Sequence, residues 1–89
     1  MVFDQSKIEK IIELAKTYGA TRLILFGSAT EKPEMARDID LACDGVPGWK
    51  LFELAARIED ELDIPLDLIP LSPATYFTRN IEKRGKVLL

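Results

Sequence analysis

Leu23, Ile24, Leu25 and Phe26 stand together as four large apolar residues, with Arg22 before them and Gly27 after. A run this short cannot form a helix with a single buried stripe. As a strand, Thr21 to Phe26 turns apolar side chains to both faces, so it needs cover above and below. That requirement calls for a sheet enclosed by other elements, and the rest of the chain supplies them.

Ile8, Ile11, Ile12, Ala15 and Tyr18 recur at three- and four-residue steps, the stripe of an amphipathic helix, with Ser6 and Glu9 spaced as a capping box and Gly19 as the stop. Leu51, Leu54, Ala55, Ile58 and Leu62 mark a second such helix, which Pro65 cannot continue. A further helix is expected from Ser72 as N-cap and Pro73 as first helical residue to Gly85. Asp38 to Cys43 alternates acidic or small residues with apolar ones, the two-residue period of a strand whose Ile39, Leu41 and Cys43 face the core. The polar interval Ser28 to Arg37, with Pro33, separates it from the first strand, and Leu66 to Pro70 reads as a third. Trp49 and Phe52 are expected to pack nearby, and Phe52 and Phe77 are assigned to the core.

At 89 residues there is room for one modest core, so residues 1–89 are read as a single domain. Helices alternating with short strands give a mixed α/β (α+β) class, a small sheet flanked by helices; the strand order is not in the pattern. The one cysteine, Cys43, cannot form an internal disulfide, which suits a reducing cytoplasm. No signal segment and no apolar stretch of membrane-spanning length, about 20 residues, is present, so a soluble protein is expected.

The 12 basic and 15 acidic residues are mixed, without a basic cluster to track a nucleic-acid backbone, so direct nucleic-acid binding is not expected. Histidine is absent, which removes the usual general base and the commonest zinc ligand. Any chemistry falls to carboxylates. Asp38 and Asp40 project from one strand face with alpha carbons about 6.6 Å apart, so two acids can converge on one cation such as Mg²⁺. The pair alone fits a solvated strand face equally well. Asp67 adds weight as a lone acid among Leu66, Leu68 and Ile69, where a buried carboxylate needs a partner or a metal. Gly27-Ser28, at the end of the apolar strand, would let a phosphate approach the backbone and meet a hydroxyl, although for that dipeptide by itself a structural turn is the favoured explanation.

Leu25-Phe26-Gly27-Ser28, nine residues, then Asp38-Ile39-Asp40-Leu41 resembles the signature of the DNA polymerase beta-like nucleotidyltransferase superfamily. With Asp67 and the closing Ile81 to Leu89, the resemblance to the small MNT-type members covers nearly the whole chain. Those members, MntA-type antitoxins among them, are often paired with HEPN toxins. The resemblance implies a nucleotidyltransferase fold and ATP as substrate. It also implies two Mg²⁺ ions held by Asp38, Asp40 and Asp67, and triphosphate oxygens held by Gly27 and Ser28. The implied activity is AMP transfer to a hydroxyl, a tyrosine, of a HEPN toxin, with a hetero- or homo-oligomer as the working assembly. Two alternatives share this reading. One is an antitoxin that neutralises by binding alone through Trp49, Phe52, Tyr76 or Phe77; the other is nucleotidyl transfer to a small molecule. Arg37 is read as an ion-pair partner in preference to a phosphate contact, and Lys32 and Arg22 lie near the proposed loop.

Overall fold

The structure, a computed structural model, describes residues 4–32 and 37–89, so the part of the polar interval that includes Pro33 lies outside the described residues. The element order is α1 (Gln5–Thr17), β1 (Arg22–Phe26), α2 (Ser28–Glu31), β2 (Ile39–Asp44), α3 (Gly48–Leu62), β3 (Leu66–Pro70), α4 (Tyr76–Arg84) and β4 (Lys86–Val87). The strands form one mixed sheet in the order β3-β2-β1-β4. β1 is antiparallel to β2 and β4, and β2 is parallel to β3.

Register divides the sheet into two faces. Leu23 opposite Cys43, Leu25 opposite Leu41, Leu41 in turn opposite Leu68, and Ile39 opposite Leu66 point to one side. There they meet Ile8, Ile11, Leu14 and Ala15 of α1 and Leu51, Leu54, Ile58 and Leu62 of α3 in the main core. Ile24, Ala42 and Ile69 point to the other side, where Ile81 of α4 and Leu71 complete a smaller cluster. The both-faces burial expected of the first strand is thus met: Leu23, Ile24 and Leu25 are all buried.

Helix ends differ from the sequence expectation. Asp4, not Ser6, caps α1: its carboxylate accepts the Lys7 N–H at 3.1 Å, while the Ser6 hydroxyl donates to the same carboxylate at 2.7 Å. α4 starts at Tyr76, not after Ser72, because Thr75 and Thr78 form a reciprocal capping box. The aromatic assignments are also corrected. Phe52 is 83% exposed, Trp49 75% and Phe77 56%; Phe52 sits one position off the stripe of Leu51, Leu54, Ile58 and Leu62 that α3 buries. Among the described residues no helix is long and apolar enough to cross a membrane.

Gly85 fastens the end of α4 to the sheet. Its N–H donates to Ile81 O at 2.7 Å, and the next two residues pair with β1 as Lys86 opposite Leu25 and Val87 opposite Ile24. A Cβ there would strike Ile24 Cγ2, Ile81 O and Leu25 O, although φ of −75° suits any residue. Gly85→Ala should therefore destabilise the protein by overpacking alone, by about 1–3 kcal/mol. A thermal melt followed by circular dichroism should show a midpoint lower by roughly 4 °C or more; an unchanged midpoint would mean that α4 can lift off β1 freely.

Candidate functional site

β1 ends at Phe26, and the chain turns at Gly27, whose φ of 78° and ψ of −158° favour a residue without a Cβ. A second constraint acts at the same place, since a Cβ on Gly27 would collide with the carboxyl group of Asp40. Backbone and carboxylate can approach this closely because the position is glycine. Thr30 closes the turn, donating to Gly27 O from its hydroxyl at 2.7 Å and from its N–H at 3.2 Å. The Ser28 side chain is exposed and makes no hydrogen bond among the described residues, which leaves its hydroxyl available to an arriving ligand.

Across the sheet, Phe26 lies opposite Asp40, and Asp40 lies opposite Asp67. Residues opposite one another share a face, so both acids stand on the α4 side, beyond the small apolar cluster. Asp38 immediately precedes β2 and is exposed. Its charge is felt at Asp40. Partial burial pushes the Asp40 carboxyl above the usual carboxylate range, and the charges of Asp38 and Asp67, with a hydrogen bond that the protonated Asp40 carboxyl donates to Asp67, push it the same way. Asp67 is itself exposed, because β3 is the edge strand and among the described residues only β2 flanks it; the expectation of a buried acid is corrected, and the register sets Asp67 opposite Asp40.

Asp38, Asp40 and Asp67 offer oxygen ligands crowded enough to repel one another, with no nitrogen or sulfur ligand beside them among the described residues, a donor set that would suit a hard divalent cation. It is not a finished cage, for among the described residues no group of three or more such side chains is arranged to hold a metal ion. The Cys43 thiol belongs to the main core, and burial with the charge of Asp44 pushes it up to about 11, so it is no nucleophile.

Beside the turn opens a cavity of about 400 Å³ that sequence reading did not anticipate. Its walls include Phe26, Gly27 and Ser28 from the sheet end and Phe77, Asn80 and Arg84 from α4. Phe26 and Phe77 meet edge to face with centroids 6.0 Å apart. The only advance signal for the α4 residues was their three- and four-residue spacing. Arg22, by contrast, is engaged by Glu82 at 3.1 Å, and Arg37 makes no ion pair among the described residues, against its expected role.

The family profile "Polymerase beta, Nucleotidyltransferase" matches residues 9–89. No curated protein matches. Among solved structures, one chain of a double aspartate-to-glutamate variant of an MntA toxin–antitoxin complex is 25% identical with a TM-score of 0.79, covering 92% of this chain and 72% of its own. One from a toxin–antitoxin complex with AMP-PNP is 27% identical with a TM-score of 0.78, over 92% and 72%. One from tri-AMPylated Shewanella oneidensis HEPN toxin in complex with MNT antitoxin is 27% identical with a TM-score of 0.76, over 96% and 71%.

The strain at Asp40 has a measurable sign. A carboxyl whose folded pKa lies above its unfolded value holds its proton more tightly when folded, so its ionisation opposes folding and stability falls as pH rises through that interval. Asp40→Asn should raise the melting midpoint of the protein free of nucleotide and divalent cation by a few degrees at pH 7, and the gain should shrink towards pH 4. A variant less stable at pH 7 would show that the carboxylates do not strain one another.

Proposed function

Because the chain belongs to the polymerase beta nucleotidyltransferase family, we propose that it transfers AMP from ATP to a hydroxyl, a tyrosine, of a partner HEPN toxin and so acts as that toxin's antitoxin. The observation that carries this reading is the row Phe26, Asp40, Asp67 across three strands, with Gly27-Ser28 at its end. It sets carboxylates and a bare backbone turn side by side, which are the two things that nucleotidyl transfer needs. Support also comes from the neighbours: one pairs an MNT antitoxin with an AMPylated toxin, another was solved with AMP-PNP, and a third had two aspartates two positions apart exchanged for glutamate, the spacing of Asp38 and Asp40.

In this reading Asp38, Asp40 and Asp67 would hold Mg²⁺, which when bound supplies neutralisation of phosphate charge and alignment of the entering and leaving oxygens. The chain's own groups do the rest. Gly27 offers backbone that a phosphate can reach, and the free Ser28 hydroxyl donates to one of its oxygens. Asp67, at the exposed edge, faces the arriving acceptor and accepts its proton. The acceptor oxygen forms a bond to the α-phosphorus while the bond to pyrophosphate breaks, and pyrophosphate departs. Parallel pairing with β2 holds Asp67 in place opposite Asp40, and Phe26 packed edge to face on Phe77 forms one side of the cavity.

A second reading, neutralisation by binding alone, draws on the exposure of Trp49 and Tyr76, aromatic side chains of the kind that anchor interfaces. Transfer to a small molecule would have to use the cavity between α3 and β3 that Asp67 lines, whose other side chains are apolar. Incubation with labelled ATP, Mg²⁺ and the purified HEPN partner should label the partner, and the double variant Asp38→Ala, Asp40→Ala should lower that labelling about a hundredfold or more. Equal labelling by the variant ends the catalytic assignment of these acids. If the variant fails to label yet still neutralises the toxin in cells, binding alone is the function.

A further inference from the structure

Resting on the nucleotidyltransferase reading, the geometry points to Arg84, with Asn80 beside it, as the contact for the pyrophosphate end of the bound nucleoside triphosphate. Neither residue belongs to the strand-end signature, and both come from the far end of the chain.

Four observations converge on Arg84. First, Phe77, Asn80, Ile81 and Arg84 recur at three- and four-residue steps on α4, one face of the helix, and all four line the cavity that Gly27 and Ser28 share. Second, Arg84 stands on a fixed base. The following residue is Gly85, packed tightly against Ile24 and Leu25, and Lys86–Val87 is paired with β1. The backbone carrying the guanidinium is thus tied to the same strand that ends in Gly27-Ser28.

Third, Arg84 is the one cation among the cavity's lining residues and makes no ion pair among the described residues, whereas Arg22 on the same strand–helix seam is held by Glu82. An unpaired guanidinium facing a cleft with amide and hydroxyl donors suits a multiply charged phosphate chain, which it grips through a planar fork. Fourth, direction follows from the carboxylates. Asp40 and Asp67 lie on β2 and β3, across β1 from the β4 strand into which α4 leads, so a phosphorus atom reacting near them has its leaving group running past Gly27-Ser28 into the cavity. The end that leaves is then the end that meets Arg84.

Glu31 also lines the cavity. Its negative charge opposes a phosphate chain, so it must act in the opposite sense to Arg84 at this site, which makes the pair a signed test.

Calorimetric titration of the whole chain with ATP, inorganic tripolyphosphate and AMP, each with Mg²⁺, reads these contacts directly. Arg84→Gln should weaken ATP and tripolyphosphate binding about tenfold, and Asn80→Ala should weaken both less. Neither should change AMP affinity. Arg84→Lys should recover part of the loss, since the charge remains and the fork does not. Glu31→Gln should tighten tripolyphosphate. Arg57→Gln on α3, outside the cavity, should leave all three ligands unaffected, and a melt of Arg84→Gln at the wild-type midpoint establishes that the fold is intact. Unchanged tripolyphosphate affinity in Arg84→Gln overturns the inference, as does an equal loss for AMP. If the wild type binds ATP and labels its partner while Arg84→Gln is indistinguishable from it, only this inference falls. If the wild type binds neither ATP nor tripolyphosphate, the transferase reading falls with it.

Discussion

Register across β1, β2 and β3 is the constraint on which the site depends. Side chains alternate along a strand, so a slip of one residue would carry Asp40 and Asp67 to the face now held by Leu25, Leu41 and Leu68. Ionised carboxylates among those leucines would have no partner to offset their desolvation. The slip is therefore opposed twice, by lost apolar burial and by buried charge. The apolar pattern that stabilises the main core also aims the acids the other way. Fold and site are one specification here.

The two faces of the sheet carry unequal shares of the work. α1 and α3 cover one completely, with Leu23, Ile39, Leu41, Leu54 and Ile58 fully buried, and most of the hydrophobic stabilisation arises there. Among the described residues the other face has only α4 as helical cover, whose cluster with Ile24, Ala42 and Leu71 reaches Phe26 but leaves Asp40 and Asp67 outside it. Leaving that end open costs burial, and it places repelling carboxylates where a cation and a phosphate can reach them. The asymmetry also explains why Gly85 matters. With a single short helix on this face among the described residues, the cavity wall is held by packing the helix end directly on β1.

Most of the fold was legible in periodicity. The span Leu66–Pro70 agrees with expectation, and the stripes of α1 and α3 face the main core. What failed was competition between neighbours. Ser6 has the capping spacing, but Asp4 lies two residues earlier and already accepts the Lys7 N–H; Ser72-Pro73 has the start signal, but Thr75 and Thr78 satisfy each other. β4 is two residues long, too short to show a period. For the site, the face shared by Asp38 and Asp40 follows from alternation, while the position of Asp67 depends on parallel pairing between β2 and β3, which no local pattern encodes. The family resemblance supplied it. Burial was the wrong argument for Asp67, since a single acid in an apolar run marks an edge strand as readily as a metal ligand. For Arg84 and Asn80 the helical spacing gave a face but not a site, because a cavity wall made by a helix and a strand far apart in the chain exists only in the folded molecule.

That edge position bears on the acceptor. A small-molecule acceptor must be surrounded to be held, and pockets that do so bury most of their ligand. Asp67 instead stands exposed on a strand with no outer neighbour among the described residues, and the cavity of about 420 Å³ that it shares with Leu51, Phe52, Ala55, Leu66 and Leu68 has no hydroxyl or amide side chain in its lining to orient a small acceptor. A hydroxyl presented by another protein brings its own positioning surface, so the transferase needs only an accessible carboxylate and a fixed phosphate. Near this edge, α3 offers Trp49 and Phe52 to solvent, side chains that a monomer of this size gains nothing by exposing. Under the transferase reading the missing half of the acceptor site is then the partner's surface, and catalysis and recognition are coupled because one docking event completes both.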